Sequence, residues 1–387
     1  MRLAAIYQRL ANLGGAKWDV HLRAKAMAEA GEDVILMTIG EPDVPTPDAL
    51  RAVARASMDA GRTGYSDGRG EAGLLDALAA LYSETRGRAI GPEHILCFPG
   101  TQTALYAALM GLVEAGDEVL VGDPMYATYA GVIRAPGADM VPVPLRPDAG
   151  FRMQAADIEA RLTPRSRVIF LNTPHNPTGA ILTPSDIEQI GALAVKHDLW
   201  ILSDEVYEDM VFGEDQFTSP LSVLGLAERV IAVSSISKSH AAPGFRSGWL
   251  VGPPSFCEAL LPLSETMLFG NQPFIADMTE HAVRQGSTVA KGMCARFSDR
   301  AQRLAGRLSD TPLTAHMPDA GMFAMVNVAG SGMDGTRFAE TLLLQTGVAV
   351  MPGASFGDTM TDWVRVSLTT EDTAFDDALE RSAGFVQ

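Results

Sequence analysis

The chain has 387 residues, of which 47% are apolar and 20% charged, a composition typical of globular proteins with one large core or two domains. Its formal net charge of −17 disfavours nucleic acids and anionic membranes as partners, because both would repel it. An anionic ligand must therefore be held by locally placed cations. The three cysteines, Cys97, Cys257 and Cys294, are too scattered for a disulfide framework or a metal cluster and fit a reducing compartment. No apolar run resembles a signal peptide or a membrane span, so we expect a cytoplasmic protein. From the scattered cysteines, we expect no metal site.

Residues 90 to 250 alternate short apolar runs with helical stretches. The helical patterns are "TALYAALMGLVEAGD" and "PSDIEQIGALAVKHD", and the strand patterns are "EVLVGD", "RVIFLN", "LWILSDE" and "RVIAVSS". Strands that are apolar on both faces and separated by helices indicate an α/β fold with a mostly parallel sheet sandwiched by helices. Ligands of such sheets bind at the carboxyl ends of the strands, and the polar motifs of this chain fall at those ends.

The remaining part of the chain predicts a smaller unit. From about residue 290, the basic helical run "ARFSDRAQRLAGRLSD" precedes two short strand patterns, "GMFAMVNV" and "WVRVSL". This order is typical of a smaller α+β domain. With no long linker in the sequence, we expect two closely packed domains: a large ligand-binding domain over 48–288 and a discontinuous small domain over 1–47 and 289–387.

Two glycine- and proline-rich turns carry candidate binding groups. In "CFPGTQTALYAAL" a strand ends, a glycine turn follows and a helix begins near Thr101, which is an arrangement suited to an anion. In "LNTPHNPTGA" the prolines make a rigid turn that could aim the Asn176 amide inward, or could simply be a tight turn. A cis peptide bond between Asn176 and Pro177 is a further hypothesis.

Two strand ends carry charged residues. Asp204 in "LWILSDEVYEDM" follows a strictly apolar strand, where a carboxylate is costly unless it faces a cation or a donor; a helix N-cap is the alternative. Tyr207 lies on the same side of the chain if a helical turn begins there. Lys238 in "SSISKSHAAPGFRSG" follows another buried strand, with Arg246 eight residues later. It could be an ordinary surface lysine, and "SISK" also matches the S-x-x-K motif of serine β-lactamases, but the S-D-N and K-T-G elements of that motif are absent.

The motifs taken together resemble a known family. Their order is "IGEPD", "GTQTAL", "DPMYATY", "NTPHNPTG", "SDEVY", "SSISKSHAAPGFRSG" and "WVRVSL". This order resembles the class I/II aminotransferases of fold type I, which use pyridoxal 5′-phosphate (PLP), and the resemblance covers essentially the whole chain. Within the family, "KWDVHLRAKAMAEAGEDVILMTIGEPD" and "DEVYEDMVF" are similar to arginine–pyruvate transaminases and to aspartate aminotransferase-like enzymes. The resemblance implies the PLP-dependent transferase fold, with PLP in the large domain.

The resemblance also implies roles around the cofactor ring. Lys238 would hold PLP as a Schiff base and then move a proton. Asp204 would pair with the pyridinium nitrogen, which would explain a buried acid at that strand end. Tyr207 and Asn176 would hydrogen-bond the ring oxygen, and Tyr126 would stack on the ring.

For the cofactor phosphate, the resemblance implies the turn Gly100-Thr101-Gln102 together with Ser235 and Arg246. An arginine suits a dianion because its planar fork binds two oxygens at once.

Three further residues are implied to bind the substrate or the neighbouring subunit's cofactor. Arg365 in "WVRVSL" would grip the substrate α-carboxylate, with a local acid as its alternative partner, and Gly40 in "IGEPD" would let the backbone approach the same carboxylate. Asn176 would also contact the substrate. Tyr65 would reach the phosphate of a second subunit, which implies a homodimer with shared active sites.

The implied activity is transfer of an amino group from an L-amino acid to a 2-oxo acid, in a ping-pong cycle between PLP and pyridoxamine phosphate. The alternatives are a PLP-dependent β-lyase on the same scaffold and a PLP-binding regulator, although the chain has no room for the DNA-binding domain of such regulators. A dinucleotide-binding oxidoreductase would need a G-x-G-x-x-G after its first strand, which is absent. The sequence leaves the amino donor open, and acids near the entrance, Glu41 or Asp19, could favour a basic side chain.

Overall fold

The computed structural model describes residues 3–11, 13, 16–213 and 216–386. Residues 1, 2, 12, 14, 15 and 387 of the predicted small domain, and residues 214 and 215 of the predicted large one, lie outside the described part. The α-helices are α1 (Ile6–Arg9), α2 (Asp19–Glu29), α3 (Asp48–Asp59), α4 (Ala72–Arg86), α5 (Thr101–Leu112), α6 (Tyr129–Arg134), α7 (Ala155–Glu159), α8 (Pro184–Lys196), α9 (Pro254–Met267), α10 (Pro273–Gln285), α11 (Ala290–Leu308), α12 (Gly335–Thr346) and α13 (Asp372–Phe385).

The strands form one large sheet, one smaller sheet and a separate pair. They are β1 (Ile35–Leu36), β2 (Ile95–Phe98), β3 (Glu118–Asp123), β4 (Asp139–Pro144), β5 (Ser166–Asn172), β6 (Trp200–Asp204), β7 (Val230–Ser235), β8 (Gly248–Val251), β9 (Thr314–His316), β10 (Phe323–Asn327), β11 (Val348–Ala349), β12 (Met351–Pro352) and β13 (Trp363–Ser367). The large sheet has the order β2-β8-β7-β6-β5-β3-β4. Its strand β8 runs in the direction opposite to the other six strands. The predicted mostly parallel α/β sheet is therefore confirmed.

Helices cover both faces of the large sheet because its strands are apolar on both sides. Ile169 and Leu171 of β5 belong to a core cluster with residues of α3, α4, α8 and α10. The alternate residues Val168 and Phe170 belong to a second cluster with α5, α6 and α9. Successive side chains of a strand point to opposite faces, so a run such as "VIFL" supplies both cores at once.

The smaller part of the fold is built from the two ends of the chain. An antiparallel sheet has the order β12-β13-β10-β9, and β1 pairs with β11 in parallel. Its core cluster combines Val20 and Ala24 of α2 with residues of α11, α12 and α13. Within the described residues, no helix combines the length and the apolar character needed to cross a membrane.

The predicted element boundaries agree with the structure to within a few residues. The run "EVLVGD" coincides with β3. The helix predicted for "TALYAALMGLVEAGD", with Gly116 closing it, corresponds to α5, which already ends at Leu112 because the chain becomes extended at Val113. The second predicted helix begins at Pro184, where the Thr183 hydroxyl accepts a hydrogen bond from the backbone N–H of Asp186. The peptide bond between Asn176 and Pro177 is cis, as hypothesised.

Candidate active site

A cavity of about 220 Å³ lies at the carboxyl ends of β5, β6 and β7, where the smaller sheet closes over the larger one. Parallel strands end at a common edge, so polar residues that are far apart in the chain meet there. The lining includes eleven of the thirteen residues expected at the site: Gly40, Thr101, Gln102, Tyr126, Asn176, Asp204, Tyr207, Ser235, Lys238, Arg246 and Arg365. Asp204 and Lys238 thus share one cavity.

Asp204 is the last residue of β6 and is 4% exposed. The Tyr129 hydroxyl donates a hydrogen bond to its Oδ2 at 2.7 Å, and the backbone N–H of Val206 donates to its Oδ1 at 3.2 Å. Burial raises the pKa of Asp204 to about 6, and the Tyr129 hydrogen bond partly offsets that effect. The alternative helix N-cap is wrong, since a turn and no helix follows β6. This carboxylate forms no ion pair with any described residue, so its site favours a cation from elsewhere.

Lys238 lies in a turn just after β7 and is partly buried. Its Nζ donates a hydrogen bond to the backbone carbonyl of Gly40 at 3.0 Å. Burial lowers the pKa of Lys238 to about 8, the nearby charge of Glu41 opposes that change, and Arg365 and Arg246 reinforce it. The surface-lysine reading is therefore wrong. Ser235, the serine of the "SISK" match, ends a strand and does not begin a helix, as the β-lactamase arrangement would require.

The turn before α5 is built to receive an anion. Gly100 has φ 88°, a left-handed conformation that a glycine adopts readily, and α5 begins at Thr101 with no side-chain cap. The Thr101 hydroxyl is buried without a hydrogen-bond partner. A Cβ on Gly100 would collide with the Arg246 guanidinium, and one on Gly248 would lie 2.7 Å from the backbone nitrogen of Thr101. Because Gly100 and Gly248 have no side chains, Arg246 and strand β8 can come close to the backbone N–H groups at the start of α5.

Arg246 has no acidic partner among the described residues. Its Nη1 donates to the carbonyl of Pro243 at 2.8 Å, and its Nη2 reaches the carbonyl of Pro99 at 3.4 Å. The backbone of Arg246 is itself left-handed, with φ 51°. Two backbone carbonyls orient the guanidinium while leaving its charge uncompensated, which suits it to an anionic group.

Arg365, in the middle of β13, is 2% exposed and is the largest fully buried side chain. Its Nη1 donates to Asn176 Oδ1 at 3.1 Å and its Nη2 to the carbonyl of Thr38 at 2.7 Å. The rings of Phe323 and Phe356 lie 3.8 and 4.3 Å from its Cζ. The alternative local acid is not found: no described carboxylate pairs with Arg365. Burial lowers the pKa of Arg365 to about 9, so the guanidinium stays protonated at neutral pH.

Gly40 has a packing reason that the sequence did not reveal. A Cβ at this position would collide with the ring of Phe323, the same ring that stacks on Arg365. A side chain here would therefore displace the aromatic support of the arginine. The carbonyl of Gly40 also accepts a hydrogen bond from Lys238 Nζ, so one glycine contacts both the amine and the ring that supports the guanidinium.

Aromatic residues form the remaining wall of the cavity. The Tyr126 and Tyr129 rings meet edge to face at 5.6 Å, and Tyr129 packs on Phe170 at 4.4 Å. Burial raises the pKa values of Tyr126 and Tyr207, so both phenols stay protonated and able to donate hydrogen bonds. The hydroxyl of Tyr207 has no partner among the described residues.

Two expected residues do not line the cavity. Gly100 lies directly behind it as the residue before α5. Tyr65 is 94% exposed and contacts Phe269 edge to face at 5.9 Å. Its expected role concerned a neighbouring subunit, and that role stays a prediction.

Sequence reasoning missed several lining residues. Tyr129, the partner of Asp204, stands in the quoted motif "DPMYATY", but only Tyr126 was assigned a role from it. Trp18, Asn172 and Phe323 also line the cavity. Asn172 ends β5 as Asp204 ends β6, so its position at a strand end was a usable signal.

Comparison with known proteins gives a consistent result over the whole chain. The family model for aminotransferase class I and II matches residues 32–381. The arginine–pyruvate transaminase of Pseudomonas aeruginosa is 40% identical over 369 residues, which cover 95% of this chain and 94% of that protein. The aromatic-amino-acid aminotransferase 2 of Thermococcus litoralis is 31% identical over 358 residues, 92% of each chain.

Among solved structures, a double mutant of the Thermus thermophilus aspartate aminotransferase matches with a TM-score of 0.93 at 29% identity, covering 99% of this chain and 100% of that one. These matches confirm the resemblance stated from the motifs, and none of them favours a lyase. The chain therefore belongs to the class I and II aminotransferase family and is an aminotransferase.

Proposed function

We propose that this enzyme binds PLP in the cavity and transfers an amino group from an L-amino acid to a 2-oxo acid in a ping-pong cycle. Members of its family use PLP. The observation that carries the proposal is that a buried carboxylate without a cation, Asp204, and an amine of lowered pKa, Lys238, line one cavity. The anion-binding turn at the same cavity supports a phosphorylated ligand.

The polar groups of the cavity that lack a partner match the chemical groups of PLP. When bound, PLP supplies an aldehyde that joins amines covalently and a pyridinium ring that withdraws electrons. Asp204 would stabilise the protonated ring nitrogen, and that contact would compensate the cost of burying its charge. The unpartnered hydroxyl of Thr101, the uncapped start of α5 and the free guanidinium of Arg246 would hold the phosphate. Gln102 and Ser235 complete this group.

Lys238 would attach the cofactor and carry the proton. A pKa of about 8 leaves part of the Nζ amine neutral near physiological pH, so that it can accept a proton from the substrate Cα and return it. The hydrogen bond to Gly40 holds this amine toward the substrate side of the cavity. Tyr207, Asn176 and Tyr126 would contact the cofactor ring.

Arg365 would bind the α-carboxylate of the substrate. Its Nη atoms are held by Asn176 and Thr38, both neutral, so its positive charge remains available. Its Nε is buried without a partner. A carboxylate is the ligand that a buried, uncompensated guanidinium favours most strongly.

A basic amino acid is the proposed donor. Glu41, next to Gly40, is exposed, pairs with no described cation and lies close enough to raise the pKa of Lys238. The three cations that line the cavity, Lys238, Arg246 and Arg365, already have roles, so an acidic side chain would find no partner among them. Asp19 adjoins Trp18 of the cavity wall and adds a second acid. The name of the arginine–pyruvate transaminase that is 40% identical supports the same donor class.

The organisation of the protein is part of the proposal. We propose a large PLP-binding domain over 48–288 and a small domain over 1–47 and 289–387, supported by the two sheets and by core clusters that each consist mostly of residues from one of these units. We propose a cytoplasmic homodimer in which Tyr65 of each subunit serves the other's active site, supported by its 94% exposure next to exposed Phe269. Sedimentation and a mixed dimer of Tyr65→Phe and Lys238→Ala subunits would test the shared site.

Spectroscopy of the loaded enzyme tests the activity. An amino donor alone should remove the visible absorbance of bound PLP, and a 2-oxo acid should restore it. Lys238→Ala should lose both the absorbance and the turnover, whereas Lys291→Ala, at an exposed position of α11, should keep both. Ammonia released from the donor without an acceptor would indicate the β-lyase instead, and an active, coloured Lys238→Ala enzyme would refute the assignment.

Donor preference is tested on the same signal. Glu41→Gln should lower kcat/KM for arginine roughly fivefold relative to methionine, as expected for an exposed ion pair of about 1 kcal/mol. Equal changes for both donors would remove Glu41 from the explanation.

A further inference from the structure

A buried arginine from a distant helix contacts both glutamates of the "DEVYE" segment. Arg86, the last residue of α4, is 8% exposed. Its Nη2 lies 3.3 Å from Glu205 Oε2 and also donates a hydrogen bond to Glu208 Oε2. No motif singled out from the sequence includes this arginine, which lies 119 residues before Glu205.

The two glutamates are direct neighbours of residues that line the cavity. Glu205 directly follows Asp204, and Glu208 directly follows Tyr207. One guanidinium therefore holds both ends of a short segment whose other side carries two residues of the active site. The segment forms a turn in which the backbone N–H of Glu208 donates to the carbonyl of Glu205 at 2.9 Å, and the N–H of Glu205 donates to the carbonyl of Val233 of β7 at 2.9 Å. The contacts of Arg86 add to these few backbone hydrogen bonds, which are fewer than a helix would supply.

Further hydrogen bonds connect these glutamates to Ser219, just before a short 3-10 turn, and to β7. The Ser219 hydroxyl donates to Glu205 Oε1 at 2.7 Å, and the Ser234 hydroxyl donates to Glu208 Oε1 at 3.3 Å. Ser234 precedes Ser235, which lines the cavity at the phosphate side. The network thus spans from the ring side of the proposed cofactor site to its phosphate side.

Aromatic rings hold the guanidinium in place. Its Cζ lies 4.8 Å from the centre of the Tyr82 ring and 5.5 Å from that of Phe217. The Tyr82 hydroxyl accepts a hydrogen bond from Trp249 Nε1 at 2.8 Å, and Trp249 is opposite Ser234 in the sheet. The arginine is therefore fixed by the same strands that carry the site.

A buried cluster of one arginine and two glutamates contributes little to the net stability of the fold. Two acids share one cation, and desolvation of buried charges offsets most of their attraction, so apolar residues of the same volume would often be as stable. A buried ionic network is better suited to fixing one conformation among several. Here the conformation concerned is that of residues 204 to 208.

We propose that Arg86 is a positioning residue of the active site: by binding Glu205 and Glu208 together, it holds the turn in the conformation that presents Asp204 and Tyr207 to the cofactor. This inference rests on the proposed binding of PLP. It assigns Arg86 no contact with substrate or cofactor, since Arg86 does not line the cavity that holds Lys238.

The test measures PLP affinity of the apoprotein separately from its stability. Arg86→Gln should raise the dissociation constant of PLP about tenfold or more, in protein that is still folded at the temperature of the titration. Arg86→Lys keeps the positive charge but loses the planar guanidinium that lies over the Tyr82 and Phe217 rings, so it should fall between Arg86→Gln and the parent. Fluorescence titration gives the affinity, and thermal unfolding of the same samples gives the stability.

A control with a similar set of contacts, but with an arginine side chain that is 56% exposed, exists at the opposite edge of the sheet. Arg165 binds Glu118 at 2.6 Å and Asp139 at 2.8 Å, at the amino ends of β3 and β4. The hydroxyls of Thr163 and Ser166 donate to Glu118 much as serines do in the Arg86 network. Arg165→Gln should change the melting temperature without changing the affinity for PLP.

The outcomes separate the two proposals. If the parent protein does not bind PLP, the proposed function fails. If the parent binds PLP and Arg86→Gln binds it within twofold of the parent, Arg86 has only a structural role and the inference is overturned. Should Arg86→Gln fail to fold, Glu208→Gln, which keeps the shape of the side chain and removes its charge, gives the same comparison; unchanged affinity there overturns the inference too.

Discussion

Asp204→Asn should make the apoprotein more stable while removing its function. The parent buries a carboxylate for which no described residue supplies a cation. The asparagine oxygen can still accept from the N–H of Val206, and the Tyr129 hydroxyl can rotate to accept from the asparagine amide, so both hydrogen bonds of the site survive. The substitution therefore removes mainly the cost of a buried charge.

The magnitude follows from the pKa of this group. Burial raises the pKa of Asp204 from 3.8 to about 6, a gap of about 2.2 pH units, and each unit corresponds to about 1.36 kcal/mol. Because the folded-state pKa lies above the unfolded one, the ionised group destabilises the fold as the pH rises. The penalty is negligible below pH about 3, reaches about 1.5 kcal/mol at pH 5 and levels off near 3 kcal/mol above pH about 7.

Urea unfolding of the two apoproteins at pH 5 and pH 8 measures this difference. The free energy of unfolding of Asp204→Asn should exceed that of the parent at both values, and the excess should roughly double at pH 8. PLP affinity should fall in the same variant because the negative charge is lost. An asparagine variant less stable than the parent at pH 8, or an excess that does not grow with pH, would refute this account of the site.

Three other predictions concern neighbouring groups. Since burial lowers the pKa of Lys238 to about 8, its acylation in the apoprotein should reach half its maximal rate near pH 8, and a midpoint above pH 10 would contradict that burial. Gly248→Ala should lower the melting temperature and weaken PLP binding, because its Cβ would lie 2.6 Å from the backbone carbon of Gly100; unchanged values would show that the turn can yield. Arg365→Lys should raise KM for the amino donor about a hundredfold with the PLP absorbance unchanged, since an ammonium cannot make two parallel bonds to a carboxylate. An equal rise in KM for a donor that lacks the carboxylate would argue against that role.

The local sequence predicted where the candidate site residues lie along the strands. Apolar runs fixed β3, β5, β6 and β7, and parallel strands necessarily end at one edge. Asp204 and Lys238 follow two of those runs directly, so their meeting in one cavity could be expected without coordinates. The glycine turn before α5 could likewise be predicted from the local sequence, because a glycine with positive φ followed by the start of a helix forms without tertiary contacts.

The partners of these groups could not be predicted in the same way. The tyrosines of "DPMYATY" lie three residues apart, and only the packing of α6 against Phe170 selects Tyr129 as the donor to Asp204. Arg365 meets Asn176 across 189 residues and Arg86 meets Glu205 across 119. No local pattern encodes such distances.

The sequence by itself determined the layered fold, the edge at which ligands bind and the residues with a chemical reason to be there. The tertiary structure decided which side chains contact each other. The ring of Phe323 occupies the space that a side chain at Gly40 would need, and Arg86 at the end of α4 pairs with Glu205 and Glu208 behind the site. The reason is physical. Secondary structure follows from short-range periodicity and backbone preferences, whereas the partner of a buried polar group depends on which distant elements pack against it.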